Sequence, residues 1–184
     1  WQDGSTSQTF LVDQPGTGTY SVTVVDGNGC SATEVVQVML VVPDVGISAV
    51  VSPQTTCDPS GEGHVEVTIR NFGNWDIKTG ASIGVSYILN GGAVVTENLV
   101  LSAPLENGAT VNYAFTRPED LITPGNYELT AYTTYGSDLI AVNDTMKVSA
   151  LINTRPVLDI GNGQDTIVSY DPVILTAPEG YVSY

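Results

Sequence analysis

The side chains able to do chemistry are few, and their spacing argues against most reactions. A nucleophilic triad needs a base beside its nucleophile, and the chain has one histidine, His64. It opens a strand-like run next to Gly61-Glu62-Gly63, no Gly-x-Ser-x-Gly elbow occurs, and an exposed or edge histidine is expected. Glu119-Asp120 offers the two acids of glycoside hydrolysis. Adjacent residues on a turn seldom converge on one substrate, so capping of a short turn at Pro118–Leu121 is expected instead. Gly27-Asn28-Gly29-Cys30-Ser31-Ala32 fits the loose dinucleotide pattern Gly-x-Gly-x-x-Ala. The helix that would hold the pyrophosphate is missing, because Thr33-Glu34-Val35-Val36-Gln37-Val38 reads as a strand. The expectation is a protein with no catalytic residues and no cofactor-binding set, not an enzyme.

Hard oxygen ligands are a more serious matter. Asp138, Asn143 and Asp144 lie near one expected domain end, and Asp26 with Asn28 lies in a loop. Carboxylates and carboxamides clustered at domain junctions are how calcium stiffens many surface arrays. Neither EF-hand nor RTX spacing is present, and turn residues bonding their own backbone account for the same pattern. Two cysteines, Cys30 and Cys57, are too few for a disulfide scaffold or a zinc site but permit one bridge. Trp75, in Phe72-Gly73-Asn74-Trp75-Asp76, is the clearest candidate for contact with a glycan or protein ligand, and it could equally pack against a neighbouring domain.

Strands position these residues. Tyr20, Val22 and Val24 share one face, with Ser21 and Thr23 on the other. Val65, Val67 and Ile69 alternate with Glu66, Thr68 and Arg70 in the same way, and no window keeps a helical period. Seven strands are expected at Val45–Val51, His64–Arg70, Gly84–Leu89, Ala93–Val100, Thr110–Thr116, Asn126–Thr133 and Thr145–Leu151. The third and fourth join through Asn90-Gly91-Gly92, the chemistry of a tight hairpin. Seven short strands in about 105 residues match an immunoglobulin-like β-sandwich.

The ends make sense only together. Residues 1–42 are expected to hold strands Thr6–Val12, Thr19–Asp26 and Ser31–Val42; residues 153–184 are expected to hold Pro156–Gly161, Asp165–Ala177 and Tyr181–Tyr184. Three strands with one apolar face are marginal in water. Joined tail to head, Tyr181-Val182-Ser183-Tyr184 runs into Trp1-Gln2-Asp3-Gly4 and completes a second sandwich. The expected organisation is all-β and tandem: a C-terminal half-sandwich at 1–42, a complete sandwich at 43–152 and the first half of the next at 153–184. An echo supports two related domains, since Pro15-Gly16 before Tyr20 and Pro124-Gly125 before Tyr127 each put a turn ahead of a Tyr-led strand. Such a tyrosine often bonds back to the preceding loop.

Composition narrows the partners. Twenty acidic residues against five basic ones give a formal net charge of −15. Such a surface repels nucleic-acid phosphates and anionic lipid. No apolar run approaches the roughly 18 residues that span a bilayer, so neither nucleic-acid binding nor membrane insertion is expected. The chain begins at Trp1 with no signal peptide, and it is expected to be a fragment whose targeting segments lie elsewhere. In the expected array, Cys57 of one copy faces Cys30 of the next, so the two either bridge successive repeats or stay as unpaired thiols, and do not close a loop within one copy.

At these residues a resemblance becomes visible. Pro15-Gly16-Thr17-Gly18-Thr19-Tyr20-Ser21-Val22-Thr23-Val24 with Asp26-Gly27-Asn28-Gly29-Cys30 resembles PKD-like and related immunoglobulin-like repeats. Val67-Thr68-Ile69-Arg70-Asn71-Phe72-Gly73, Val85-Ser86-Tyr87-Ile88-Leu89-Asn90-Gly91-Gly92, Tyr113-Ala114-Phe115-Thr116 and Pro124-Gly125-Asn126-Tyr127 resemble the adhesion-related CARDB domain. Alternation of the two is similar to the long tandem-repeat adhesins of gliding Bacteroidota. The resemblance implies an extracellular, cell-surface stalk exported by type IX secretion, with neighbouring repeats as partners and a surface polysaccharide or protein as a further ligand. It also implies O-glycosylation at Thr145 and Thr166, in Asp144-Thr145-Met146 and Asp165-Thr166-Ile167.

Overall fold

The structure is a computed structural model that describes residues 1–57, 63–138, 140–156, 160, 163, 166–177 and 179–180. Nine strands form among them: β1 (Gly16–Val25), β2 (Ser31–Leu40), β3 (Val45–Ser52), β4 (Gly63–Asn71), β5 (Ser82–Leu89), β6 (Val95–Val100), β7 (Thr110–Glu119), β8 (Gly125–Thr134) and β9 (Thr145–Ile152). The described residues contain no helix.

Strands β3 to β9 make an immunoglobulin-like sandwich. One sheet has the order β3-β4-β7 and the other β6-β5-β8-β9, all neighbours antiparallel. Period-2 alternation decides which side chains face inward. In β4, Val65, Val67 and Ile69 are fully buried while Glu66, Thr68 and Arg70 are not. Each such side chain contributes about 1.5–3 kcal/mol on leaving water. Ile83, Val85 and Tyr87 of β5 meet them from the other sheet, and Tyr87 sets its ring edge against Phe115 at 4.6 Å. All seven strands lie where the sequence places them. Asn90 and Gly91 take φ of 51° and 69°, the left-handed pair that a tight hairpin turn demands. Tyr127, at the start of β8, donates its hydroxyl to the Thr123 carbonyl at 2.7 Å, the corner bond expected of it.

The ends are built differently. β1 and β2 form a separate two-stranded ribbon. Its register puts Tyr20, Val22 and Val24 opposite Val36, Glu34 and Ala32, so one face is apolar except for Glu34. Among the described residues the loop before it covers part of that face: Phe10 packs between Trp1 and Tyr20, with ring centroids 5.4 and 5.6 Å apart. Val24 and Val36 remain 59% and 51% exposed.

Two strand expectations fail. Thr6–Val12 is not a strand: among the described residues it has no partner to complete a ladder, and it instead loops around Trp1, whose indole N–H donates to the Ser7 carbonyl. In Asp165–Ala177 the described residues, 166–177, form no strand for the same reason. Tyr181–Tyr184 lies outside the described residues, as does most of Pro156–Gly161. The turn expected at Pro118–Leu121 begins later, because β7 runs to Glu119 and Asp120 then accepts the Ile122 and Thr123 amides.

Candidate functional site

The residues suspected of catalysis are tied into the sandwich. The His64 ring Nδ1 donates to the Phe115 carbonyl at 2.9 Å. Glu119 accepts the Tyr87 hydroxyl at 2.6 Å and pairs with Arg117 at 3.2 Å. Asp120 turns the other way and accepts from the Ile122 and Thr123 amides and the Thr123 hydroxyl. Those bonds hold the Asp120 carboxyl below its ordinary pKa, so it stays a turn-forming anion. At the hairpin tip, Asp26 accepts from the Asn28 and Cys30 amides, and β2 follows where a dinucleotide fold would start a helix.

The residues that do converge lie where the ribbon joins the sandwich. Asn71 ends β4 fully buried, an uncommon place for a carboxamide unless every polar atom is used. Its Nδ2 donates to the Trp75 and Leu105 carbonyls at 2.8 and 2.9 Å, and its Oδ1 accepts from the Gly73 amide at 3.0 Å. This fixes the loop from Phe72 to Trp75, which then holds the linker. Asn74 Nδ2 donates to the Leu40 carbonyl at 2.9 Å, and its Oδ1 accepts from the Val42 amide at 2.8 Å. The Phe72 and Gly73 amides both donate to the Asp44 carbonyl, at 2.8 and 3.1 Å. Gly73 has to be glycine here, since a Cβ would strike the Val42 carbonyl oxygen and the Asp44 nitrogen.

The loop between β8 and β9 grips the linker from the other sheet. Asp138 Oδ2 accepts from the Val45 amide at 2.6 Å. Asn143 donates from Nδ2 to Asp44 Oδ1 at 2.8 Å, while its carbonyl accepts from the Ile47 amide. Thr133 donates its hydroxyl to the Val45 carbonyl and its amide to the Asp144 carbonyl. Residues 40–45 are thus bonded to both sheets of the sandwich.

Of the expected calcium residues, Asp138, Asn143 and Asp144 do come together, and the structure adds Asp44, which is only 6% exposed. Sequence reading missed it because Pro43-Asp44 looks like an ordinary domain boundary. Burial, then the neighbouring Asp138 and Asp44 carboxylates, push the Asp144 carboxyl above its ordinary pKa. Among the described residues no group of three or more His, Cys, Asp or Glu side chains stands arranged around a metal position.

Trp75 belongs to the same junction. Nearly half exposed, it lines a groove of about 180 Å³ with Pro43, Ile77, Lys78 and Tyr135. The cysteines lie elsewhere: Cys30 at the ribbon tip and Cys57 beyond β3, both exposed and unpaired in the single chain. Thr145 opens β9 and Thr166 lies in the tail, both exposed.

No protein-family model matches the chain, and no curated protein does. Among solved structures it is similar to the CARDB domain of the PF1109 protein from Pyrococcus furiosus, a crystal structure in complex with di-metal ions. The two share 16% identity at a TM-score of 0.39, over 64% of this chain and all of that one.

Proposed function

We propose that this chain is a spacer repeat of a long extracellular surface protein, in which the tail of one copy and the ribbon of the next fold together into a second sandwich. The observation that carries the reading is the placement of the two unfinished ends. The ribbon leaves the sandwich beside Asp44, at the start of β3. The tail leaves from the far end: β9 runs parallel to β3, and the Thr56 amide donates to the Leu151 carbonyl while the Asn153 amide donates to that of Thr56. Both ends carry uncovered apolar residues, with Val168, Tyr170 and Ile174 of the tail at 88% or more. An open hollow of about 730 Å³ lies along β1, lined by Trp1, Thr6, Gln8, Val22 and Val24. Ends that leave opposite sides of one sandwich come close to each other where copies follow head to tail. Such an array sets length and stiffness, in keeping with a stalk for attachment or gliding at a bacterial surface.

In the array, the ribbon tip of one copy reaches toward the Cys57 end of the copy before it, which is the geometry of a Cys57–Cys30 bridge between repeats. Glycans on Thr145 and Thr166 would shield exposed strand edges.

Light scattering on the single-copy chain tests the reading. Association that grows with concentration and is abolished by Val36→Asp is the expected result, since Val36 is exposed in one copy. A monomer at all concentrations contradicts it. Immobilised glycans bound by the single copy and released by Trp75→Ala would favour the ligand-binding reading instead.

A further inference from the structure

The hollow along β1 runs along an edge of the ribbon, not across a face. Residues 22–25 line one wall and residues 4–8 the other. Successive side chains of a strand point to opposite faces, so a wall made of consecutive strand residues is the strand's edge. That edge is open, since among the described residues no strand other than β2 pairs with β1. Ser21 shows which backbone groups point outward there. Its carbonyl accepts from the Gln2 amide at 3.1 Å, and its amide donates to Gln2 Oε1 at 2.9 Å. By the two-residue repeat of a strand, the amides and carbonyls of Thr23 and Val25 face the hollow as well.

Residues 1–5 at its mouth are folded as the tip of a β-hairpin. The Gly4 amide donates to the Trp1 carbonyl at 2.9 Å, and the Trp1 nitrogen donates to the Ser5 carbonyl at 2.9 Å. Gly4 takes φ of 84°, the left-handed position that closes a common three-residue hairpin loop. Ser5 therefore starts one hairpin arm, and Trp1 ends the other. Traced backward from Trp1, antiparallel to β1 and in register with Gln2 and Ser21, that other arm enters the hollow. Its last residues before Trp1 stand opposite Thr23, Val24 and Val25. Counted from the pairing of Trp1 with Ser5, the same residues stand opposite Thr6, Ser7 and Gln8. Both walls of the hollow are thus accounted for by one inserted strand.

We propose that the hollow is an acceptor slot for a single β-strand, filled by Tyr181-Val182-Ser183-Tyr184 of the preceding copy. The proposal rests on the tandem array and adds to it an edge and a register: Tyr184, Ser183 and Val182 opposite Thr23, Val24 and Val25. The alternation of backbone groups agrees with it. Trp1 turns its own toward Ser5, so Tyr184, one residue earlier, turns its own toward Thr23. Recognition is by main-chain hydrogen bonds, the mode of strand addition at an open sheet edge. Residues 6–12, which form no strand in the single chain, gain a ladder partner in the same step.

Disulfide trapping in a two-copy chain, with Cys30 and Cys57 first replaced by Ser, tests the slot. Ser183→Cys in the first copy and Val24→Cys in the second form a non-hydrogen-bonded pair, with Cα atoms about 4.5 Å apart and within reach of a disulfide. Oxidation should link them at least about tenfold faster than Ser183→Cys with Val35→Cys on β2, which lies a strand further away. Tyr184→Pro in the first copy removes the amide that faces Thr23. It should lower hydrogen-exchange protection of the second ribbon by about tenfold or more, whereas Tyr184→Phe keeps it. A second ribbon that is protected while the Ser183–Val24 link fails to form, or forms no faster than the Val35 link, overturns the slot and leaves the array standing. An unprotected second ribbon without the link overturns both.

Discussion

The sandwich and the ribbon are made from the same kind of strand, yet only one of them has a core. β4 and β1 both alternate apolar and polar residues. In β4 the inward side chains are fully buried, whereas in β1 Val24 is mostly exposed. Alternation chooses which face a strand turns inward; burial requires a second sheet for it to meet. β3 to β9 supply two sheets that face each other, whereas β1 and β2 form a two-stranded sheet of their own.

The sharpest contrast is between equivalent truncations. Phe115→Ala removes a ring packed against Tyr87 and Tyr113 and is expected to cost about 3–5 kcal/mol in denaturant unfolding. Val36→Ala in the single-copy chain is expected to change stability by less than ~0.5 kcal/mol. If copies assemble, the same change should cost about 1 kcal/mol in a chain of two copies. Equal costs in one and two copies would erase the distinction between the regions.

Asn71→Ala probes the seam between them. It leaves the buried Leu105 carbonyl without this donor and frees the loop that holds the linker, at a cost of about 2–4 kcal/mol. Proteolysis between residues 40 and 45 should become faster in that variant.

Glu97→Gln tests how the sandwich is closed along one side. Glu97 on β6 accepts from the Tyr113 hydroxyl and from the amide and hydroxyl of Thr116 on β7, joining the two sheets. Burial alone would raise its pKa, but the bonds from Thr116 and Tyr113 outweigh it and hold the carboxyl below its ordinary value of 4.5. Because the folded pKa is lowered, its contribution is present above pH 4.5 and is lost as pH falls through the folded value. Wild type should therefore exceed the variant by about 1–2 kcal/mol at pH 7, with the gap closing in acid. Tyr127→Phe, which deletes the corner bond to Thr123, should cost about 1 kcal/mol and leave the ribbon unchanged.

The difference between the regions also explains what the sequence could tell. Strands β3 to β9 were legible because each pattern had a partner within the chain, and the turn at Asn90-Gly91 because only certain residues accept its backbone. Thr6–Val12 misled because strand-forming residues do not make a strand without a ladder. The junction was partly legible: Asp138, Asn143 and Asp144 stood out as candidate oxygen ligands, and the fold does bring them to one loop beside the linker. Asp44 did not stand out, since it is brought to them from across the fold by Asn143 and the Phe72–Gly73 amides. Asn71 appeared only inside a recognisable stretch, and nothing local marked it as the residue that fixes the loop.

Hydrogen exchange on chains of one and of two copies tests the central claim most directly. In the single copy, kept dilute enough to stay monomeric, the amides of residues 16–40 should exchange within about tenfold of an unstructured peptide, while β4 and β8 are strongly protected. In the two-copy chain the account predicts that the second ribbon, now between sandwiches, gains about a thousandfold protection, or ~4 kcal/mol of local stability. The first ribbon, with no tail before it, should stay unprotected as an internal control. Equal, weak protection of both ribbons in the two-copy chain would contradict the composite sandwich.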